Sequence, residues 1–403
     1  MPKTITIVGA LDSKGEEFRF VKDEIERRGH RTFVVDTGVI DPPLFKADVS
    51  REEVAVAAGT SIDTLKTQND RGEAIAAMAH GVAEIIEIVH HNGTIDGILS
   101  MGGSAGTSVG TSAMRVLPVG FPKVMVSTVA SGDTAPYVGV KDIVMIPSVV
   151  DVAGINRISR QIYSNAVGAI VGMVETEPAP VEEKPLIAAT MFGNTTQAVD
   201  QARALMEAKG YEVLVFHCTG TGGQTMEGLI ADGMIEGVLD ITTTEWADEL
   251  VGGVLSAGPT RLDGAAKAGI PQVIVPGCMD MANFWAPDTV PEVYRERNLH
   301  KWNPNITLMR TDVAENARLG QILAEKANAA TGPVAFFLPL KGLSILDSPD
   351  GEYWWPEADR ALFDAIRENV RPDITVTELD CNINDPELAE AVTECLLGYL
   401  DSR

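Results

Sequence analysis

Residues 98–114, ILSMGGSAGTSVGTSAM, run from a β-like stretch through a glycine-rich turn into a helix-like one. Gly102, Ser104 and Gly106 satisfy G-x-S-x-G, the elbow that presents a serine nucleophile above an α/β sheet. With Gly103 and Thr107 the same turn equally suits a phosphate cradle, because small residues leave the backbone N–H groups of a helix N-terminus open to an anion. The two chemistries need different company. A serine nucleophile needs an acid and a histidine base further along the chain, yet of the six histidines only His217 and His300 follow Ser104, both in the other half of the sequence. Thr107, Ser108, Thr111 and Ser112 fill the helix start with short hydroxyls instead. Anion binding is the preferred reading; a purely structural turn and a Ser104 nucleophile are the alternatives.

Other predicted strand ends carry related groups. In ALDSKGEE, Lys14 can neutralise a phosphate and Asp12 can hold a metal ion or its water; the alternative is that Asp12 or Ser13 caps the following helix. STVASGDTAPYVG offers Ser131, Gly132, Asp133 and Thr134 to the same edge. In the second half, Gly220, Thr221, Gly222 and Gly223 make another anion-friendly turn. Glu245, Arg261 and Asp280 are the candidate catalytic residues there; Arg261 either clamps a carboxylate or phosphate or pairs with Glu245 or Asp263. His217 and Cys218 are neighbours in a strand and point to opposite faces, against a catalytic pair. No metal-ligand set is assigned.

The elements that must position these residues repeat. TITIVGALDSKGEEFRFVKDEIERRGHRTFVVDTG and PLIAATMFGNTTQAVDQARALMEAKGYEVLVFHCTG both read strand, loop, helix, strand, with Gly29 and Gly210 ending the helices. Phe18, Val21 and Ile25 share one helix face, as do Ala198, Ala202 and Leu205. IDGILS then matches IEGVLD, FPKVMVSTVASGD matches IPQVIVPGCMD, and DIVMI matches NITLM. Short apolar runs bounded by turns and separated by helices indicate parallel sheets covered on both faces. The expected fold is α/β, two doubly wound Rossmann-like lobes over 1–176 and 186–403, joined by a Pro- and Glu-rich linker at 177–185. A ligand is expected at strand carboxyl ends in the cleft between the lobes. The first lobe also carries an extra segment at about 39–70, read as a lid, a subunit contact or a plain surface excursion. Tyr353, Trp354 and Trp355 precede a helix opened by Pro356 and pack a loop onto the second lobe or form a dimer contact.

A formal net charge of -25, with no dense Lys/Arg block, argues against nucleic acid and anionic membranes as partners. No apolar run approaches a membrane span and the N-terminus lacks a signal-peptide pattern, so a cytoplasmic protein is expected. Cys218, Cys278, Cys381 and Cys395 show no metal or disulfide spacing and read as buried free thiols.

ALDSKGEE, GGSAGT, HCTGTGGQTMEGLI, TTTEWADELVGGVLSAGPTRL, GIPQVIVPGCMDMANF and ITLMRTDVAENARLG together resemble the largely uncharacterised bacterial and fungal proteins that share the ATP-binding N-terminal domain of the plant tomato mosaic virus resistance protein. The resemblance implies two Rossmann-like subdomains and binding of ATP with Mg²⁺. Ser13 stands where Thr is usual and Ala105 where Gly is frequent. The resulting expectation is an ATP·Mg-binding protein, forming a homodimer or larger assembly, that acts as a transferase or ligase on a small acid. In it Gly102–Thr107 cradle phosphates, Lys14 offsets their charge and Arg261 orients the second substrate. A non-catalytic nucleotide-sensing or assembly module is the alternative, and a Ser104 hydrolase a further one.

Overall fold

The β-branched run at Thr4–Gly9 cannot rest half-exposed, and in the computed structural model it is buried as β1, an interior strand of a parallel sheet. Residues 1–180 and 183–402 are described. They divide into two units, Met1–Pro180 and Val181–Arg403; of the 177–185 linker, residues 181 and 182 lie outside the described residues.

In the first unit α1 (Gly15–Arg27) follows β1 and leads to β2 (Arg31–Asp36). Phe18, Val21 and Ile25 are buried and Gly29 takes φ +88, as the pattern requires. The extra segment contributes α2 (Arg51–Ala57) and α3 (Ile62–Gln68) and runs into α4 (Arg71–His91). Ser50, Ser61 and Asp70 cap these three helices in turn. Then come β3 (Gly97–Gly102), α5 (Ser104–Arg115), β4 (Lys123–Ser127), α6 (Ala135–Val138), β5 (Val144–Pro147) and α7 (Arg157–Glu175). The strand order is β2-β1-β3-β4-β5, all parallel, so the order reverses between β1 and β3.

The second unit repeats this plan with additions: β6 (Leu186–Met191), α8 (Thr196–Glu207), β7 (Glu212–His217), α9 (Thr221–Ala231), β8 (Gly237–Thr242), α10 (Glu245–Val251), α11 (Asp263–Ala268) and β9 (Gln272–Gly277). An antiparallel excursion follows, β10 (Met281–Phe284), β11 (Leu299–Asn303) and β12 (Ile306–Arg310), ordered β10-β12-β11. The chain ends with α12 (Val313–Asn328), β13 (Val334–Pro339), α13 (Pro356–Asn369), β14 (Thr375–Leu379) and α14 (Pro386–Asp401). The main sheet is β14-β13-β9-β8-β6-β7, reversing between β6 and β8.

Two details of the repeat fail. On α8, Ala198 and Ala202 are fully buried as expected, but Leu205 is 37% exposed and Val199 and Met206 complete the buried stripe instead. NITLM also does not correspond to DIVMI in topology. β5 extends the first sheet, whereas β12 pairs antiparallel with β10 and β11 and leaves the fifth parallel position to β13. A short apolar run encodes burial, and its partner is set by what else competes for the sheet. No described helix is long and apolar enough to cross a membrane.

Candidate functional site

Where β1 and β3 diverge, the carboxyl edge of the first sheet opens into a pocket of about 870 Å³. Asp12, Ser13 and Lys14 enter from the loop after β1, and Gly102–Gly106 from the turn after β3. The turn is shaped by its glycines. A Cβ on Gly102 would stand 2.8 Å from the Gly106 Cα, so the chain can double back only without one. A Cβ on Gly103 would meet nothing within 4 Å except Thr128 Oγ1 at 3.7 Å, so that side stays open. Gly103 is the N-cap of α5 and no side chain caps the helix, leaving its first-turn N–H groups available to an anion.

Charge around the pocket is balanced differently from the chain as a whole. Lys14, Lys66 and Arg71 line it, and none has an ion-pair partner among the described residues. Asp70 is committed to the amides of Gly72 and Glu73 at the start of α4. Asp12 does not cap α1; its Oδ2 accepts from the N–H groups of Ile40 (2.8 Å) and Asp41 (3.3 Å), tying the loop after β2 to the loop after β1. Asp36 makes the reciprocal tie, its Oδ1 accepting from Leu11 N–H (3.0 Å) and Gly38 N–H (2.9 Å). Burial pushes the Asp36 carboxyl above its usual range, against the pull of those two amides.

The sequence candidates separate here. Asp12, Ser13, Lys14, Gly102, Gly103, Ser104 and Gly106 meet at the pocket. Thr107 does not: it is fully buried, its hydroxyl donating to Gly103 O (2.8 Å) and paired with Ser127 Oγ (2.6 Å), so it braces the turn from behind. Ser131 lines a neighbouring hollow. Gly132, Asp133 and Thr134 line neither, and Asp133 is used on the N–H of Ala135 (3.1 Å). No histidine lines the pocket beside the exposed Ser104 among the described residues.

The far wall comes largely from the segment read from sequence as a lid, a subunit contact or a surface excursion, though none of its residues was singled out for the site. Val39, Ile40, Leu65, Lys66, Asn69, Asp70, Arg71, Ile75 and Met78 come from the extra segment and the first turns of α4. Its position was the available signal, because any insertion after β2 emerges at the same carboxyl edge as the turns after β1 and β3. Asp151 completes the rim from beyond β5.

The second unit's turn is already filled. Glu245 Oε1 accepts from Gly220 N–H (2.9 Å) and Gly223 N–H (3.1 Å), and a Cβ on Gly223 would strike that carboxylate. Gly222 is needed for close approach to His217 O, and Thr221 is exposed. Arg261 is 1% exposed, with its guanidinium on Asp240 (2.9 Å), Glu245 (2.7 Å) and Glu227 (3.3 Å). It cannot orient a second substrate, because its donors are held inside the fold. The pairing partner proposed besides Glu245 is not Asp263, which pairs with Lys267 and Lys326.

Asp280 is likewise fully buried, accepting from Ser344 Oγ (2.8 Å), with Oδ1 unpartnered. Burial, reinforced by Asp347, pushes its carboxyl up to about 8 against the pull of Arg310. Arg310 pairs with Asp359 (2.6 Å) and Asp347 (3.6 Å), accepted by Tyr353 O and lying 6.0 Å from the Trp355 ring centre. Tyr353, 1% exposed, packs its loop against Phe192, Leu255, Met281 and Leu308 of the second unit, whereas Trp355 is 38% exposed. Cys218 is buried, its thiol pushed well up by desolvation, while His217 stacks on Phe192; the two do not act together. Cys278 and Cys381 are also buried free thiols and Cys395 is partly buried.

Against known proteins, residues 3–179 match the N-terminal domain and residues 184–400 the C-terminal domain of the uncharacterised protein family UPF0261. A UPF0261 protein of Clostridium tetani is 50% identical over 403 residues, all of both chains. The tomato mosaic virus resistance protein Tm-1 (GCR237) of Solanum lycopersicum is 38% identical over 97% of this chain, which spans 55% of its length. Among solved structures, a UDP-N-acetylglucosamine 2-epimerase from Rickettsia bellii aligns over 100% of this chain and 98% of its own at 10% identity, with a TM-score of 0.23, too low to carry an argument. With both domains matched and a full-length relative at this identity, the chain belongs to the UPF0261 family.

Proposed function

We propose that the first unit binds ATP with Mg²⁺, its phosphates on the Gly103–Gly106 amides. The observation that carries the anion reading is the contrast between the two units. Where a glycine turn opens α9, the chain supplies its own anion, the Glu245 carboxylate. Where one opens α5, no side chain caps the helix and an 870 Å³ pocket stands before it. Lys14, Lys66 and Arg71 would offset phosphate charge, and the apolar face of Leu65, Ile75 and Met78 suits a flat base. The nucleotide itself is suggested by the resemblance in the motifs.

The open side of Gly103 fits a phosphate, since a side chain there would occupy its place. Asp12 and Ser13 fit a hard cation that takes carboxylate and hydroxyl oxygens together with phosphate; both hydrogen bonds to Asp12 fall on Oδ2. When bound, the ion would neutralise phosphate charge.

Gly103→Val should weaken ATP·Mg²⁺ at least tenfold by calorimetric titration, while the unliganded stability falls by no more than about 1 kcal/mol, the cost of a β-branched N-cap, because the added Cβ meets only Thr128 Oγ1, at 3.7 Å. Unchanged affinity would remove the turn from the site.

A further inference from the structure

One strand along the same edge, past the ends of β4 and β5, lies a second hollow of about 360 Å³, lined by Thr128, Ser131, Ser148, Val149, Val150 and Asp151. It adjoins the larger pocket through two residues. Asp151 lines both, and Thr128, whose N–H donates to Gly102 O (3.2 Å), has its Oγ1 just beyond the open side of Gly103.

The hollow is set by an unusual turn. Val149 has φ +63, a conformation that strains a β-branched residue, and its side chain is 76% exposed. Ser148 N–H donates to Ser127 O (3.0 Å) and Val150 N–H to Ser148 O (2.7 Å), holding the reversal. The buried Ser148 hydroxyl is used on Val150 O (2.6 Å), so it shapes the turn. Asp151 Oδ1 accepts from Val152 N–H (2.8 Å), so its Oδ2 and the hydroxyls of Thr128 and Ser131, all on exposed residues, remain for a ligand. No Lys, Arg or His lines the hollow, and Asp151 has no ion-pair partner among the described residues.

We propose that this hollow seats a second small ligand bearing an ammonium group and hydroxyls, placed beside the anion on the glycine turn. The inference rests on the reading of Gly103–Gly106 as an anion cradle. It reverses the expectation of an acidic second substrate. Arg261, the group that would have clamped an acid, is buried among carboxylates in the other unit, and a carboxylate in this hollow would face Asp151 with no cation to offset it.

The test uses the full chain and three probes of similar size, ethanolamine, glycerol and lactate, read by saturation-transfer NMR, alongside ATP·Mg²⁺ thermal shift. Ethanolamine should receive the strongest saturation, glycerol less and lactate none. Asp151→Asn should weaken ethanolamine about fivefold, the size of one exposed charge contact, and leave glycerol unchanged. Ser131→Trp, which fills the hollow from an exposed loop, should abolish both signals and keep the ATP·Mg²⁺ shift. Lactate binding as well as ethanolamine, no signal from any probe, or undiminished ethanolamine signal in Ser131→Trp would overturn the proposal. An absent ATP·Mg²⁺ shift in wild type, with ethanolamine still lost in Ser131→Trp, would overturn the nucleotide reading and leave the amine site standing.

Discussion

At the scale of residues, Arg261 shows how one side chain can look functional and be structural. Its neighbours in sequence, SAGPTRLDG, expose small residues beside a cation, the pattern of an anion clamp. In the fold it bridges the strand residue Asp240, the helix-turn residue Glu245 and Glu227 of α9. Removing one partner of a buried charge cluster leaves the others desolvated and uncompensated. Arg261→Leu should therefore cost about 3–5 kcal/mol, read as a shift of the second unit's unfolding transition to lower denaturant. A loss below about 1 kcal/mol would mean that the cluster contributes little. Asp12 is the opposite case. Both its sequence readings, a cap or a metal residue, concerned the loop after β1, yet its hydrogen bonds go to the loop after β2, a partner no local spacing reveals.

At the scale of elements, glycine positions translate into packing distances. A Cβ on Gly9, the last residue of β1, would lie 1.9 Å from the Phe18 ring of α1, so the strand end and helix approach only because that hydrogen is small. Gly9→Ala should destabilise the first unit by about 1–3 kcal/mol through overpacking. Combining it with Phe18→Leu should recover part of the loss in thermal unfolding; additive effects would show that the two residues do not meet. The helices and parallel strands of both units were legible because each apolar stripe is local and periodic. The pairing of β12 was not, because DIVMI and NITLM carry the same pattern and differ only in the strands that surround them. The pocket wall from Leu65 to Met78 was hidden for a related reason: its residues join the site through the path of an insertion, and spacing along α3 and α4 says nothing of what they face.

At the scale of the whole molecule, a chain of formal charge -25 places several carboxylates out of water. Burial, with repulsion from Asp347, pushes Asp280 up to about 8 and Asp359 up to about 7, while Arg310 opposes both. Asp347 is raised by burial as well. These groups keep protons in the folded state that the unfolded chain releases near its ordinary value of 3.8, so the folded state binds more protons through the interval between. Stability of the second unit should accordingly be greatest toward the acid side and fall as pH rises from about 5 to about 8, by up to about 1.4 kcal/mol per pH unit for each proton retained. Differential scanning calorimetry across that range checks it. Asp280→Asn, which stays neutral, should flatten the slope, and an unchanged slope would place the pH dependence elsewhere.

The sequence by itself determined the α/β class, the doubled parallel plan and the glycine turn after β3, because hydrophobic period, helix-ending glycines and a helix start are encoded over a few neighbouring residues. Only the tertiary structure decided which glycine turn remains open to a ligand. Glu245 lies more than twenty residues beyond the turn it fills, and Gly103–Gly106 has no such carboxylate, a difference made by chain path rather than by the composition of either turn. The fate of the charges was settled in the same way. Whether Arg261, Asp280 or Lys14 meets solvent depends on where distant strands and helices place other charges, and burial then fixes whether the group acts on a ligand or on its neighbours.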